Sequence, residues 1–555
     1  MRRAVLLLSV ALGACTLEPS DTRPEPPVPP SWPVGDAYLR TSEAALPSVA
    51  YRDVFRDVRL QGLIERALSN NRDLRVAADN IAVARAQYRI QRAELFPEVS
   101  AVGTYRFTEG NGGTRLGTVT GNGGSGGVTN GTGNGGTGTG NTGAGNDGTG
   151  GTGVGAGDPS TGGGTDAGAG SGGTPVTGGT TTLTTTGLTS SSLFQANLGV
   201  TAFEVDLFGR VRSLSRAALN EYFATEAAAR TTRLALVGDI ATAWLTYAAD
   251  RTLLDIARRT AASAGRSVRL TRARLEGGVA PRTDLRQAET VLATAEADLA
   301  RQTTAVAQDA NFLQRLVGAP FDPSLLPNDL REVTGTLAEL PAGLDSTVLL
   351  RRPDIVEAEY RLRAANARIG AARAALFPRI SLTGLVGLAS TALGSLFTSD
   401  AFSASVSPNV SYAIFDGGAR RAAVAQTEAQ RQLALDDYER TIQTGFREVA
   451  DALARRGTVV AEERAVRRQV DAATDTYRLA EARYRGGIDT FLQTLDSQRQ
   501  LYASEQRLAN IQLERANNLV TLYRSLGGDA ALAATSDGPV PLGPEPSATP
   551  TPLVP

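Results

Sequence analysis

Hydrophobic spacing along this chain has two periods, and the switch between them recurs at fixed landmarks. Four segments set apolar against polar residues with the two-residue alternation of an extended strand. Val99, Ala101, Tyr105 and Phe107 oppose Ser100, Thr104 and Arg106, while Phe194, Ala196, Leu198, Val200 and Ala202 oppose Gln195, Asn197 and Thr201. Ile380, Leu382, Val386 and Leu388 oppose Arg379, Ser381 and Thr383. Phe402, Ala404, Val406, Val410, Tyr412 and Ile414 oppose Ser403, Ser405, Ser407, Asn409 and Ser411. Each runs for roughly 10 residues, the length a tilted strand needs to cross a bilayer. Since closed barrels begin at about 8 strands, four strands per chain predict a pore shared among several copies.

Between the strands the period is helical. From Gly209 to Leu275 there are 67 residues without Pro, and a second such stretch runs from Gly417 to Tyr484. At about 1.5 Å per residue each spans roughly 100 Å, which belongs to coiled coils or bundles. Shorter returning helices are expected from Pro281 to Leu316 and from Thr490 to Leu526. Near the second, Ile488, Phe491/Leu492, Leu495, Tyr502, Leu508 and Leu522 keep close to a seven-residue spacing, broken at Arg515. Helices from about Leu60 to Leu95 and from Asp354 to Leu376 are expected to stack on these and complete the length.

The pattern is written twice. Asn71-Arg72-Asp73-Leu74 and Leu95-Phe96-Pro97 return as Arg352-Pro353-Asp354-Ile355 and Leu376-Phe377-Pro378, at an offset of 281. Further on, Arg274-Leu275-Glu276-Gly277-Gly278-Val279 returns as Arg483-Tyr484-Arg485-Gly486-Gly487-Ile488, at an offset of 209. The difference, 281 minus 209, is 72 residues and fits an insertion in the first copy. A Gly/Thr/Asn/Ser block from about Gly110 to Gly187 lies there, and its composition predicts a disordered loop. It lacks the regularly spaced Asp of a calcium-binding glycine repeat.

Composition narrows the chemistry. The 555 residues include no His and no Lys, so all 56 basic residues are Arg. That removes the commonest general base and the commonest amine nucleophile. One Cys rules out an internal disulfide or a Cys-based metal cluster, and no catalytic or metal-binding residues are assigned. Net charge is -1, which gives no reason to expect nucleic acid as a partner. The N-terminus reads as an export address: Met1-Arg2-Arg3, an apolar run from Ala4 to Leu12, and then Leu12-Gly13-Ala14-Cys15. The last four resemble a bacterial lipobox, which implies cleavage before Cys15, S-diacylglycerol on its sulfur and an N-acyl group. Thr16, where Asp would signal inner-membrane retention, favours the outer membrane.

Leu350-Arg351-Arg352-Pro353-Asp354-Ile355, Ala358-Glu359, Ala364 to Gly370 and Leu376-Phe377-Pro378 resemble the outer-membrane efflux lipoproteins, the OprM/NodT branch of the TolC-like proteins. Asp206-Leu207-Phe208-Gly209-Arg210 and Phe415-Asp416-Gly417-Gly418 resemble that family's two strand-to-helix turns. The resemblance implies a mainly α protein with a membrane β part. Its form would be a trimeric α-helical barrel continuous with a 12-stranded β-barrel, four strands per chain. An equatorial belt would come from residues near 40–60, 318–350 and beyond about Gly527.

The expected organisation is a signal peptide at 1–14, an acylated N-terminus and linker at 15–59, and a first repeat at 60–317. An inter-repeat segment at 318–350, a second repeat at 351–528 and a Pro-rich tail at 529–555 complete it. The resemblance also implies a lipid-anchored duct in the Gram-negative outer membrane that extends into the periplasm. It would serve passively as a homotrimer, with a periplasmic adaptor and an inner-membrane pump of RND type, and with no cofactor beyond the covalent lipid. The helix turns at Arg274, Gly277, Gly278, Arg483, Gly486 and Gly487 resemble the adaptor-docking tips. Leu492 and Asp496, four residues apart, resemble the periplasmic gate. The competing reading is a coiled-coil periplasmic lipoprotein of structural or adaptor kind, without a pore.

Overall fold

The computed structural model describes residues 17–20, 23–29, 31–33, 50–110, 189–338 and 346–542. Cys15 and nearly all of the Gly-rich block lie outside them. By contacts the chain forms two units, one of Met1–Ala101, Leu198–Val386 and Ala404–Pro555, the other of Val102–Asn197 and Gly387–Ser403.

In the first unit the two copies fold alike. A 67-residue helix, α4 (Arg210–Glu276), turns back as α5 (Arg282–Val317). Its counterpart α8 (Ala419–Arg485), also 67 residues, turns back as α9 (Phe491–Ser525). Both long helices begin after a glycine in the left-handed region, Gly209 at φ 78° and Gly418 at φ 88°. Each copy also has a 22-residue helix, α3 (Arg72–Ala93) and α7 (Pro353–Ala374). Ahead of α3 stand α1 (Tyr51–Val54) and α2 (Val58–Asn70), and between the copies lies α6 (Leu330–Thr334).

One continuous helix from Leu60 to Leu95 is therefore not what forms. The chain breaks at Asn71, whose side-chain oxygen caps α3 by accepting from the N–H groups of Asp73 (2.8 Å) and Leu74 (3.1 Å). Its amide donates to the carbonyl of Leu316 at 2.7 Å, near the end of α5. Thus α3 and α5 are joined end to end through one buried side chain. The second copy makes the same joint with different chemistry. Arg352, the repeat equivalent of Asn71, donates to the carbonyl of Ser525 at 2.9 Å, at the end of α9. It also grips Asp354 (2.7 and 3.0 Å) and Glu448 (2.9 Å). After each joint the chain turns on a left-handed glycine, Gly318 (φ 73°) or Gly527 (φ 87°). At Gly318 an added Cβ would sit 2.7 Å from the carbonyl oxygen of Asn70, so a side chain there would be strained twice over.

Helix packing follows the order α3/α5, α4, α7/α9, α8. The belt segments expected from the sequence close around α4. Phe55, Leu60, Leu63, Ile64, Leu313, Leu330, Val333 and Tyr523 are buried with Ile240, Trp244 and Leu245. The Trp244 ring N–H donates to the carbonyl of Leu325 at 3.0 Å, and the N–H of Leu330 donates to the Thr252 hydroxyl at 2.9 Å.

Two chain ends add unexpected structure. Residues of the described N-terminal stretches lie against the helices: Glu18 pairs with Arg216 at 2.9 Å, Arg23 with Glu359 at 2.9 Å, and Trp32 stacks on Phe446 at 4.8 Å. The segment expected as a Pro-rich tail from 529 instead begins with a hairpin, β5 (Leu532–Thr535) and β6 (Gly538–Pro541). Leu532 is fully buried, and the Tyr360 hydroxyl both donates to and accepts from the backbone of Thr535 at 3.0 Å. Tyr360 lies 172 residues or more from these partners, so no local pattern announces the hairpin. Residues 543–555 lie outside the described residues.

The strands are β1 (Val99–Gly110), β2 (Thr189–Glu204), β3 (Arg379–Ser390) and β4 (Phe402–Ser411), ordered β1-β2-β3-β4. The fourth stops before Tyr412 and Ile414. There the chain prepares its turn: Asp416 accepts from the N–H groups of Gly418 (2.9 Å) and Arg420 (3.3 Å). The second unit carries the remaining strand lengths, with Tyr105 and Phe194 packed ring to ring at 4.7 Å.

Asn71→Ala removes a cap and strands a buried carbonyl, a loss of about 2 kcal/mol. We expect a thermal midpoint several degrees lower, read by circular dichroism. Asn71→Asp keeps the cap but not the donated bond, and should fall between.

Candidate functional site

Three features of the first unit bear on function: the hairpin tips, an exposed helix face, and the apolar strand face. At the tips, each long helix ends in the same turn. The N–H of Gly277 returns to Ala273 and that of Val279 to Arg274, and the N–H groups of Gly486 and Ile488 do the same with Ala482 and Arg483. Gly278 (φ 73°) and Gly487 (φ 72°) supply the left-handed step, which is a glycine C-cap in both copies. The turns leave Val279 and Ile488 about two-thirds exposed, at 68% and 67%. Two equivalent apolar points are thus presented at the tips, beside the expected docking glycines.

The two expected tip arginines differ. Arg483 folds back on Asp489 with bonds of 2.6 and 3.0 Å, and that guanidinium holds the Asp489 carboxyl below the usual range. The first copy has Ala280 where Asp489 would be, so Arg274 has no such partner. It crosses to the other hairpin, donates to the carbonyl of Tyr484 at 2.9 Å and lies over its ring at 4.7 Å. Val268, Ala288, Tyr484, Phe491 and Leu495 bury one another beneath this link. Arg274 therefore fastens one hairpin to its partner within the chain. The sequence offered one signal for this, Tyr484 and Asp489 standing where the first copy has Leu275 and Ala280.

Leu492 and Asp496 lie one turn apart on α9, outside the arc of buried Phe491, Thr494, Leu495, Ser497 and Gln498. They are 51% and 61% exposed, and the nearest cation to Asp496 is Arg499 at 3.9 Å. Among the described residues nothing covers their outer sides.

The face of α3 is equally bare. No residue of α3 is buried, and Val76, Val83 and Ile90, seven apart, are 57%, 56% and 69% exposed. That is the seam of a coiled coil awaiting another helix. On the strands Val99, Leu198, Leu382, Val386, Val406 and Val410 are exposed together. Phe96 and Phe415 stand exposed at the strand-to-helix junctions, where Phe208 stacks on Phe377 at 4.6 Å. Apolar residues flanked by a girdle of aromatics are the dress of a lipid-facing strand.

One pair of acids escaped the sequence reading, which assigned no catalytic or metal-binding residues. Asp250 of α4 meets Asp309 of α5, and one Asp309 oxygen is sealed from solvent without a donor. Burial first, and the neighbouring carboxylate second, push Asp309 up to about 7. Among the described residues no group of three or more His, Cys, Asp or Glu is placed to hold a metal. No helix among them is long and apolar enough to cross a membrane.

This architecture is that of the TolC-like outer-membrane channels. Crystal structures of CusC match it with a TM-score of 0.72 at 30% identity, over 93% of this chain and 100% of that one. The open state of the Neisseria gonorrhoeae MtrE channel matches at 0.71 and 30%, over 93% and 98%. The toluene efflux pump outer membrane protein TtgC of Pseudomonas putida is 39% identical over 533 residues, 95% of this chain and 96% of that one. Outer membrane protein OprJ of Pseudomonas aeruginosa is 35% identical over 525 residues, 95% of each. The model of the outer membrane efflux protein family matches residues 63–134, 164–319 and 344–528, and the chain belongs to that family.

The raised carboxyl sets a pH dependence. The folded state holds the Asp309 proton more tightly than the unfolded chain, whose ordinary value is 3.8. Stability from this pair is greatest below that value, declines as pH rises toward about 7, and is flat above. Asp309→Asn should remove the decline, narrowing the gap between thermal midpoints at pH 5 and pH 8.

Proposed function

We propose that this chain is the outer-membrane exit duct of a tripartite efflux system, a homotrimer that conducts substrate passively from a periplasmic adaptor and an inner-membrane pump of RND type. The observation that carries the reading is a set of open edges. The sheet ends in unpaired strands β1 and β4, and the helical wall ends in the bare seam of α3 on one side and in α8 on the other. Unpaired strand edges cannot stand in lipid, because their N–H and C=O groups have no water to bond. Pairing β4 with β1 of the next copy satisfies them, and three copies give a 12-stranded barrel over a wall of twelve helical columns. A coiled-coil lipoprotein without a pore would leave the apolar strand face with nothing to cover it.

In that assembly Leu492 and Asp496 converge from three copies at the tips. A ring of three carboxylates repels anions and attracts cations, and the leucines narrow the passage between them. The Arg274–Tyr484 link holds the tips together within each copy. Docking falls to the turns at Gly277, Gly278, Gly486 and Gly487, with Val279 and Ile488 as their apolar points.

In planar bilayers, the purified trimer should conduct weakly. Asp496→Ala, Leu492→Ala and Arg274→Ala should each raise conductance several-fold. Absence of conductance in every form, or a monomer by mass photometry, would sink the duct.

Cys15 is proposed to carry diacylglycerol and an N-acyl group. The docking of Glu18 beside Ser213, within the first turn of α4, supports this by bringing the chain near the strand-to-helix junction three residues beyond the anchor. Mass spectrometry of the mature N-terminal peptide should show three acyl chains on Cys15; an unmodified cysteine refutes it.

A further inference from the structure

Below the belt core, α4, α6, α8 and α9 line an open cleft of about 270 Å³, and four of its lining residues are arginines. Arg251, Arg258 and Arg259 come from α4 and Arg331 from α6. The acids around it are already engaged. Asp255 and Glu505 both serve Arg259, and Asp329 caps α6 by accepting from the N–H of Glu332 at 2.9 Å. Arg331 shares the field of Glu505 with Arg259, while Arg251 and Arg258 stand in no ion pair among the described residues. Four guanidiniums against three carboxylates leave an excess of positive charge. Arginine cannot shed its proton to relieve it.

We propose that this cleft binds a small anion bearing two carboxylate or phosphate groups. Guanidinium presents a planar fork that matches either oxyanion in a bidentate way. The volume lies just under the range of small-molecule pockets, about 300–1,000 Å³, which suits a compact dianion and not an extended polymer. Position supports access. The arginines stand on α4, a middle column of the wall, and on α6, while the α8 edge reaches the cleft only through the apolar Val470. A bound dianion would tie α6 to α4 and α9, bracing the belt against the long helix.

The test uses the full-length protein in detergent, titrated by calorimetry with sodium pyrophosphate and, separately, with sodium malonate. Sodium chloride at matched ionic strength is the reference. Saturable binding by either, with a rise in thermal midpoint above the chloride reference, is the expected result. The ligand that binds tells phosphate from carboxylate. Replacing Arg251→Gln and Arg331→Gln together should weaken binding at least about tenfold, since each charged hydrogen bond lost is worth more than a factor of ten. Arg258→Gln, at an exposed position, gives a second reading if the double variant folds poorly. Arg440→Gln, on a distant surface, should bind as the parent does. The proposal is overturned if neither ligand exceeds the chloride reference, or if the arginine variants bind undiminished.

Discussion

Everything in this fold that needs length depends on a joint between helix ends. Neither α5 nor α9 matches its 67-residue partner, so each column must be made from two helices laid end to end. A helix end exposes carbonyls and N–H groups that must be bonded, and burying two ends together doubles the demand. Asn71 meets it with an oxygen for one end and an amide for the other. At the equivalent position Arg352 reaches the carbonyl of Ser525, while two carboxylates hold its charge. The two joints lie at matching positions in the repeat, yet share no functional group. What the two copies share is the satisfied carbonyl, and not the residue that satisfies it.

This explains which parts of the structure could be read from the chain. Strands, long helices, glycine turns and the duplication are local or periodic, and a period survives in any window of sequence. The strand boundaries drifted because they are set by side chains a few residues away, as Asp416 shows at the end of β4. The C-terminal hairpin, the Arg274–Tyr484 link and the Asp250–Asp309 contact were invisible for another reason. Each joins residues that are 59 or more apart and carry no special spacing. The break at Asn71 was half legible: its capping chemistry is local, but the carbonyl it serves on α5 is not.

Duplication also shows where the two copies have parted. Asp250 and Asp309 correspond to Val459 and Asn518, and Asn518 spends its amide on the carbonyl of Ala452 at 2.9 Å. Arg274 and Arg483 correspond, yet one fastens hairpin to hairpin and the other closes on its own turn. Leu492 and Asp496 correspond to Thr283 and Gln287, so only the second copy has a leucine and an acid at those two positions. The backbone is repeated and the chemistry is not. A wall of equivalent columns needs the first, whereas a constriction that distinguishes one tip from the other needs the second.

The same division governs the exposed surfaces. Val76, Val83 and Ile90 would cost little on a loop, but in register along one helix they form a stripe that water wets poorly. The apolar strand residues raise the same problem on a sheet whose edges are also unbonded. Two different remedies are required. A hydrophobic stripe is satisfied by any apolar cover, whereas an unpaired strand edge demands another strand in register. Lipid answers the first demand and cannot answer the second. A second copy of the chain answers both at once, because its far edge carries the complementary strand and helix. The open sheet edge, more than the apolar surface, is therefore what commits the chain to closing with its own kind.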